Sequence, residues 1–372
     1  MVNTPLRTSP PPFCTILPPH LLDRLLEADD PVVAAHARRT LEHDAVHRTR
    51  RRVTTVCGPT AISSVAVADT AQCTIYDAAH QKRTPGTEVN LASSGAAGDA
   101  TALRAHTGLN ATLDLYLTVY GRRSIDNDGL PLNATVRYGE KYDNAFWDGE
   151  QMVFGDGDGN LFLDFTIPLD IVGHELTHGV TQYTANLTYY GQPGALNESL
   201  SDVFGSLIKQ YALDQTAGQA DWLIGAGLFT PAVNGKGLRS LAAPGTAYDD
   251  AQLGKDPQPA TMRDYVQTSR DNGGVHINSG IPNHAFYQLA ITLGGNAWER
   301  AGTIWYTTLT SSELAPDAGF TDFARLTATT ARNLYGDGKE AQAVLESWQK
   351  VGIELPPSSP LRAAAVEPRM PQ

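Results

Sequence analysis

The most informative stretch of the sequence is residues 169–178, which read LDIVGHELTH. If this stretch is helical, His174 and His178 lie four residues apart and project from the same face of the helix. Two neutral imidazoles so placed are typical ligands of zinc, and Glu175 lies one step round the helix, where its carboxylate can reach a water at the metal. The alternative is an amphipathic helix with two surface histidines, and this motif alone leaves it open.

A second stretch, residues 194–202, reads GALNESLSD and contains a candidate for the third ligand, which the first stretch lacks. We expect Glu198 to be the third zinc ligand, which leaves the fourth tetrahedral position to water. Asp202 lies one helical turn further on, where it can accept the second imidazole N–H of a ligating histidine, and Asn197 is another candidate for this supporting role. Two acids one turn apart are also common on an ordinary helix surface.

Length and composition exclude several classes of protein. The chain has 372 residues, of which 41% are hydrophobic, so it is long enough for two domains and apolar enough to fold. No run approaches the roughly 20 apolar residues that span a bilayer. Three cysteines cannot hold a chain of this length together as a disulfide scaffold. A pI near 5.2 argues against nucleic acid as a partner.

The charge is distributed unevenly along the chain. The first 60 residues carry 8 arginines and 6 acidic residues, a net charge of +2, whereas the whole chain carries −12 and residues 61–372 therefore carry −14. This change of sign predicts two parts with different roles. The arginine-rich run at 47–53 is either a solvated linker or a processing site.

Hydrophobic patterning predicts short helices first, then strands, then long helices. The early helices are expected near residues 21–26 and from 31 to about 42. The expected strands are 115–120, 135–138, 152–154 and 160–165, and the expected later helices are 199–211, 281–293, 298–309 and 320–334. The DGDG sequence at 156–159 has no acid at the twelfth position of an EF-hand loop, so we interpret it as a hairpin turn.

Three further blocks follow along the chain: NAFW at 144–147, GLRS at 237–240 and DNGGVH at 271–276. Together with the two stretches above, they resemble the thermolysin family of zinc metallopeptidases, and in particular the protealysin-like precursors, which carry short pro-segments. The resemblance runs from the PPHL sequence at 18–21 to the region of Gly352. Several blocks in family order are far more specific than a single motif.

The resemblance implies an α+β fold: a thermolysin-like two-domain zincin with a β-rich N-terminal domain, a mainly α-helical C-terminal domain and the active-site helix between them. A short pro-segment precedes these domains. The expected boundaries are 1–60 for the pro-segment and processing linker, 61–181 for the N-terminal domain, 182–354 for the C-terminal domain and 355–372 for a loosely ordered tail.

The resemblance also implies catalytic roles. Glu175 would take a proton from the water at the single catalytic Zn²⁺ and later pass it to the leaving amine. His276 and Tyr189 would hydrogen-bond the developing oxyanion. Asp271 would hold His276 in orientation and raise its basicity.

Substrate contacts are implied in the same way. Asn144 and the carbonyl of Ala145 would hydrogen-bond the substrate backbone, and the planar guanidinium of Arg239 would donate to a substrate carbonyl. The alternative for Arg239 is a solvated side chain with no substrate contact. The residues expected to line a pocket beyond the scissile bond are all apolar: Phe162, Phe165, Ile171, Leu228 and Leu238. This lining predicts cleavage before Leu, Phe or similar residues.

The chain departs from the family where calcium is bound. Relatives with a double calcium site place acids at the positions of Lys209, Leu223 and Ala226, although Asp170 and Asp221 remain here. A lysine also stands at position 236, in another calcium loop of the relatives. Lys209 can replace one calcium charge by an ion pair with Asp170. We therefore predict that Ca²⁺ is not required for stability.

The pro-segment is expected to hold the enzyme latent. Pro18 and Pro19 would lie against the catalytic domain until the chain is cleaved between about Arg48 and Gln72. Cys14 is either a small buried residue ahead of this pair or a thiolate that ligates the zinc as a switch.

The leading interpretation is a zinc-dependent neutral endopeptidase made as a latent precursor. A catalytically silent zinc-binding scaffold or adhesion module, and a peptide-binding regulator or latent toxin component, are the alternatives. The expected partners are polypeptide substrates and the chain's own pro-segment, with a proteinaceous inhibitor as a further candidate, and we expect a monomer. The family favours an extracellular location, but residues 1–13 lack the features of a signal peptide, so a cytoplasmic location stays open.

Overall fold

A computed structural model of the chain describes residues 14–57, 71–93 and 98–355. The α-helices are α1 Pro19–Leu26, α2 Pro31–Cys57, α3 Ala100–Tyr120, α4 Leu169–Tyr183, α5 Gly191–Ala212, α6 Asp271–Asn278, α7 Gly280–Leu293, α8 Arg300–Leu309, α9 Phe320–Tyr335 and α10 Lys339–Lys350. The strands are β1 Cys73–Asp77, β2 Thr87–Glu88, β3 Leu132–Val136, β4 Ala145–Trp147, β5 Met152–Phe154, β6 Leu223–Ile224, β7 Arg239–Ser240, β8 Asp249–Asp250 and β9 Gly254–Lys255. Within these described ranges, no helix is long and apolar enough to cross a membrane.

A five-stranded mixed sheet forms the first half of the catalytic part. Its strand order is β2-β1-β3-β5-β4, with β1, β3 and β5 parallel and the two edge strands antiparallel. Ala134 in the central strand is paired with Ile75 on one side and Met152 on the other, and all three side chains are buried. Helices α3 and α4 pack on this sheet, so the helix that carries the HELTH sequence rests on a rigid support.

Helices α4 and α5 form the most extensive helix pair in the molecule, and two glycines allow their close approach. A Cβ atom on Gly205 would lie 2.5 Å from the backbone carbonyl oxygen of Asp170, and one on Gly173 would lie 2.7 Å from the side chain of Ile208. Since real side chains do not tolerate such distances to backbone, only glycine fits at position 205. The crossing brings the polar residues of both helices to one point.

The second half of the catalytic part is helical and has an aromatic core. The indoles of Trp305 and Trp348 stack with their centroids 5.8 Å apart, and the rings of Phe286 and Phe323 meet Trp305 edge-on. All four side chains are essentially inaccessible to solvent. Burying side chains of this size supplies much of the apolar stabilisation of the domain.

Residues 14–46 pack against both halves. In α1, Leu21, Leu22 and Leu25 are buried and belong to the same apolar cluster as the catalytic domains. Pro18 and Pro19 begin this helix, where a proline costs no intrahelical hydrogen bond. The guanidinium of Arg24 donates to the carbonyl oxygens of residues 251 and 252, at 3.2 and 2.9 Å. The N-terminal segment therefore packs through a hydrophobic face, with polar contacts at the edge of that face.

Three secondary-structure predictions were wrong. Residues 115–120 belong to α3 and not to a strand, because the buried positions Ala102, Ala105, Leu109, Thr112 and Leu115 recur at helical spacing. Residues 160–165 form one β-bridge, between Phe162 and Phe229, because the carboxylate of Asp158 accepts three successive backbone N–H groups and closes a turn there. Helix α2 continues through the arginine run to residue 57, well beyond its predicted end near residue 42.

Parts of two other expectations lie outside the described residues. These are most of the interval proposed for processing, residues 58–70, and most of the predicted tail, residues 356–372.

Candidate metal centre and catalytic cleft

Helices α4 and α5 bring three buried ligand side chains together. The Nε2 atoms of His174 and His178 lie 3.0 Å apart, and each lies within 3.6 Å of a carboxylate oxygen of Glu198. The i,i+4 spacing places the two imidazoles on one face of α4, and the α4–α5 crossing places the carboxylate opposite them. The convergence therefore depends on one helix for two groups and on tertiary packing for the third.

The outer nitrogen of each imidazole has an oxygen partner. Nδ1 of His174 lies 2.8 Å from Oδ1 of Asp202, and Nδ1 of His178 lies 2.8 Å from Oδ1 of Asn197 and 3.1 Å from the hydroxyl of Ser201. A carboxylate and an amide oxygen accept hydrogen bonds, so the proton of each ring sits on Nδ1. Ser201 was not anticipated from the sequence, since a serine one turn from a ligand is common.

These protonation states indicate a cation site. With the protons on Nδ1, the Nε2 lone pairs of His174 and His178 point toward each other and toward Glu198. Burial and the neighbouring histidines lower the pKa of His178 to about 3, so its ring stays neutral. No described residue hydrogen-bonds Oε2 of Glu198, although that atom is buried. Two imidazoles and one carboxylate that converge in this way fit Zn²⁺.

Asp202 is held by more groups than the sequence predicted. Besides its contact with His174, the carboxylate accepts a bidentate pair of hydrogen bonds from Arg239, with Nε 2.8 Å from Oδ2 and Nη2 2.9 Å from Oδ1. It also accepts a hydrogen bond from the side-chain amide of Asn283 at 2.9 Å. Burial opposes the charge on Asp202, but Arg239 and His174 hold the pKa of this carboxyl well below its usual range. Asn283 lies in α7, far along the chain, and no sequence signal identified it.

Glu175 is fully buried beside the metal ligands. Its Oε2 accepts a hydrogen bond from the backbone N–H of Trp147, at 3.2 Å. Trp147 ends strand β4, so the sheet edge fixes the carboxylate of the active-site helix. This contact gives the side chain a defined position before any substrate arrives.

Tyr189 and His276 face the centre from the opposite side. The hydroxyl of Tyr189 donates to Oε1 of Glu198 and lies 3.4 Å from Nε2 of His276, which is itself 3.5 Å from the same carboxylate oxygen. Burial raises the pKa of Tyr189 well above 10, with Cys14 and Glu198 adding to the effect, so the phenol remains a hydrogen-bond donor.

Asp271 orients His276. Its carboxylate lies 2.6 Å from Nδ1 and accepts the backbone N–H of the same histidine at 2.9 Å. Both contacts depend on a left-handed run at the start of α6, in which residues 271–274 all have positive φ, and the two glycines suit this backbone. Burial alone would lower the pKa of His276, but Glu198 and Asp271 outweigh it and raise the pKa to about 9.

The residues expected to hold substrate instead hold the N-terminal segment. The backbone N–H of Ile16 donates to the carbonyl of Ala145 at 3.1 Å, and that of Leu17 donates to Oδ1 of Asn144 at 3.0 Å. Nη1 of Arg239 donates to the carbonyl of Ile16 at 3.1 Å. The backbone of residues 16–17 is therefore bound by three groups.

A carboxylate of helix α2 completes this arrangement, and no sequence pattern predicted it. Asp44 in α2 is buried, accepts the amide N–H of Asn144 at 3.2 Å, and accepts the hydroxyl of Tyr142 at 2.5 Å. The amide oxygen of Asn144 is thereby turned toward Leu17. Only the fold brings residues a hundred positions apart into this contact.

The five apolar residues predicted to line a pocket are all buried. Phe162, Phe165, Ile171, Leu228 and Leu238 belong to the main hydrophobic core, which runs through the described part of the chain and also includes Ile16. Ile16 itself is completely inaccessible to solvent.

Cys14 also lies at the metal centre. Its Sγ, a ring nitrogen of His178 and a carboxylate oxygen of Glu198 lie within 4.8 Å of one another, and all three side chains are buried.

Lys209 lies between two carboxylates. Its Nζ lies 2.7 Å from Oδ2 of Asp170 and 2.8 Å from Oδ1 of Asp221, and it donates to the carbonyl of Leu223 at 2.8 Å. Burial would lower the pKa of Lys209, but the two carboxylates outweigh it and raise the pKa. The ammonium thus satisfies the same oxygen atoms that a cation would.

Comparisons with known proteins agree with this geometry. The model of the thermolysin metallopeptidase catalytic domain matches residues 54–182, and that of the thermolysin metallopeptidase α-helical domain matches residues 185–353. The chain is 48% identical to an extracellular metalloprotease of Pectobacterium carotovorum, over 92% of this chain and 97% of that protein. It is 41% identical to a thermolysin of Alicyclobacillus acidocaldarius over 68% of this chain and 46% of the relative.

A solved structure is similar over almost its full length. The precursor of protealysin, a metalloproteinase from Serratia proteamaculans, superposes with a TM-score of 0.83 at 48% identity, covering 91% of this chain and 99% of that one. This likeness confirms the predicted two-domain fold with its sheet-containing first domain and helical second domain. The chain belongs to the thermolysin family and is a zinc metalloendopeptidase.

Proposed function

We propose that the chain is the latent precursor of an endopeptidase that cleaves polypeptides before bulky apolar residues. The observation that carries this proposal is the convergence of His174, His178 and Glu198 beside Glu175, with Tyr189 and His276 on the opposite side. A zinc-binding scaffold needs the three ligands but has no use for a buried carboxylate beside them or for two further donors aimed at the same point.

Each protein group has a defined task in this proposal. When bound, zinc would polarise the scissile carbonyl and acidify a water. Glu175 would accept a proton from the attacking water and pass it to the leaving amine. Tyr189 and His276 would donate hydrogen bonds to the oxyanion that develops on the substrate, each donor contributing about 3 kcal/mol. Asp271 would keep His276 aligned and protonated.

Casein hydrolysis tests the function directly. We expect the mature protein to hydrolyse casein, to lose this activity when zinc is removed by a chelator and to regain it when Zn²⁺ is added back. The uncleaved precursor should be far less active. If no mature, zinc-loaded preparation hydrolyses casein, the non-catalytic scaffold is the better explanation.

The pro-segment supports the proposed specificity. Ile16 is held at its N–H and its carbonyl by Ala145 and Arg239, and its side chain lies in the main hydrophobic core, which includes the five pocket residues. We infer that Ile16 occupies the place of the substrate residue that follows the scissile bond. Latency then arises because the cleft is already filled by the chain's own peptide.

Cleavage of a peptide library should show this preference. We expect Leu, Ile or Phe after the scissile bond to be favoured over Ala by at least about tenfold, since each methylene in an apolar pocket contributes roughly this factor. Mass spectrometry of the products gives the profile. A preference for Asp or Glu at that position would contradict the proposed pocket.

Calcium should not stabilise the protein. Because the ammonium of Lys209 already pairs with the carboxylates of both Asp170 and Asp221, adding a calcium-selective chelator to the zinc-loaded protein should leave its Tm unchanged. Replacing the cation, in Lys209→Met, should lower Tm, whereas Lys255→Met at an exposed position should not. A large fall in Tm on chelation of the wild type would show that a calcium ion is bound after all.

We propose that the mature enzyme acts outside the cell. This rests on relatives that are named extracellular metalloproteases. Detection of the mature form in cell extracts but not in the culture medium, before lysis, would contradict it.

A further inference from the structure

We propose that Cys14 is the fourth zinc ligand of the precursor, so that latency is maintained by a sulfur–metal bond as well as by an occupied cleft. This inference rests on the proposed function, since it assumes that His174, His178 and Glu198 hold zinc. The sulfur would occupy the fourth coordination position of zinc, which the mature enzyme must leave open to water.

The position of the sulfur is set by backbone contacts on its C-terminal side. Two residues after Cys14, Ile16 is bound at its N–H by Ala145 and at its carbonyl by Arg239, and Leu17 is bound by Asn144. These three bonds leave the pro-segment little freedom to slide along the cleft. Cys14 is 3% exposed, so its thiol is directed into the protein interior and not into solvent.

Independent features of the centre point to a ligand at this place. The sulfur, a nitrogen of His178 and an oxygen of Glu198 lie within 4.8 Å of one another, a spacing that one ion can bridge. Oε2 of Glu198 is buried without a hydrogen bond from any described residue, and the Nε2 atoms of the two histidines face each other at 3.0 Å. The thiol thus joins a set of donors that converge on one point.

The chemistry of the ligands favours this assignment. Zinc accepts thiolate readily, and its structural sites are closed by four protein ligands whereas its catalytic sites keep one position for water. Two neutral imidazoles, one carboxylate and one thiolate balance the charge of Zn²⁺, which suits a buried site. On binding, the thiol gives its proton to solvent. When the pro-segment leaves, water takes the place of the sulfur and the thiolate is protonated again.

A sulfur–zinc bond would inhibit the enzyme in a different way from steric blocking of the cleft alone. With sulfur on the metal, no water is present for Glu175 to activate, so a small substrate that entered the cleft would still not be hydrolysed. Release then requires that the bond to sulfur be broken together with the backbone contacts of residues 16–17.

X-ray absorption at the zinc edge tests the assignment without measuring activity. The full-length protein carrying Glu175→Ala, which should not process itself, is loaded with one equivalent of zinc. We expect one sulfur neighbour at about 2.3 Å, distinct from nitrogen and oxygen neighbours at about 2.0–2.2 Å. The sulfur signal should vanish in Cys14→Ser on the same background while one equivalent of zinc remains bound.

Cys73→Ser is the matched control, because Cys73 lies on strand β1 and is only partly buried. It should keep the sulfur neighbour. Should Cys14→Ser fail to fold, the parent spectrum still decides, because its metal shell either contains sulfur or does not.

A sulfur-free shell in the zinc-loaded parent overturns the inference, and zinc-dependent casein hydrolysis by the mature enzyme would then leave the proposed function standing. Failure of the parent and of the mature protein to bind zinc at all overturns both.

Discussion

Replacing Glu175 by alanine is expected to lower kcat of the mature protein by about 10²–10⁴-fold, the usual contribution of a general acid–base group. The carboxylate is buried and fixed by the N–H of Trp147, so no neighbouring acid can take over its task without moving the backbone. Because Glu175 is not among the converging ligands, the zinc content should remain at one equivalent. Hydrolysis of a peptide substrate and metal analysis of the same preparation measure both quantities.

Two further variants sharpen this result. Glu175→Gln keeps the shape and the hydrogen bond from Trp147 but cannot take a proton, so it should be as inactive as the alanine variant. Glu313→Ala, at an exposed position, should leave kcat unchanged. Near-normal activity in Glu175→Gln would show that this carboxylate is not the base, and loss of zinc from both variants would show that it serves the metal site instead.

Replacing Asp202 by alanine is expected to have the second large effect, on stability and on zinc affinity together. The substitution leaves the guanidinium of Arg239 buried without its carboxylate partner, and breaking such a pair costs about 3–5 kcal/mol. It also removes the acceptor that fixes the ring of His174. The loss of such a supporting contact weakens metal binding by about 10–100-fold.

Denaturant unfolding of the zinc-free protein and a competition titration with a zinc chelator separate the two effects. Asp214→Ala is a suitable control, since that aspartate is exposed and lies just after α5. In a double variant that also replaces Arg239 by methionine, the unfolding penalty should be smaller than in Asp202→Ala alone, because no charge is left buried. An unaltered zinc affinity in Asp202→Ala would contradict the supporting role of this residue.

The sequence was a good guide wherever chemistry depends on local spacing. The i,i+4 separation of His174 and His178 fixes their common face through the geometry of one helix, whatever the rest of the chain does. The pair Glu198 and Asp202 follows the same rule on the next helix. Residues 115–120 show the limit of local patterns, because this short apolar run predicts a strand, whereas the buried positions of the whole α3 helix recur at helical spacing.

Contacts between distant parts of the chain could not be predicted in this way. Asn283 and Arg239 both bind Asp202, and Asp44 binds Asn144, across separations of 37 to 100 residues. Side chains of these types are usually solvated at the protein surface, so composition and periodicity do not predict that they are buried here. Their partners are decided by how the helices and the sheet pack.

By itself the sequence determined the family and the four-residue spacing of the candidate ligands and their supporting acid on two helices. Helical geometry and side-chain chemistry are properties of a few neighbouring residues, and they can therefore be predicted from the sequence. Only the tertiary structure decided that residues 16–17 are held by Asn144, Ala145 and Arg239, and that the sulfur of Cys14 reaches the metal centre. Those outcomes depend on the α4–α5 crossing at Gly205 and on the docking of the pro-segment, which are settled by packing over the whole molecule.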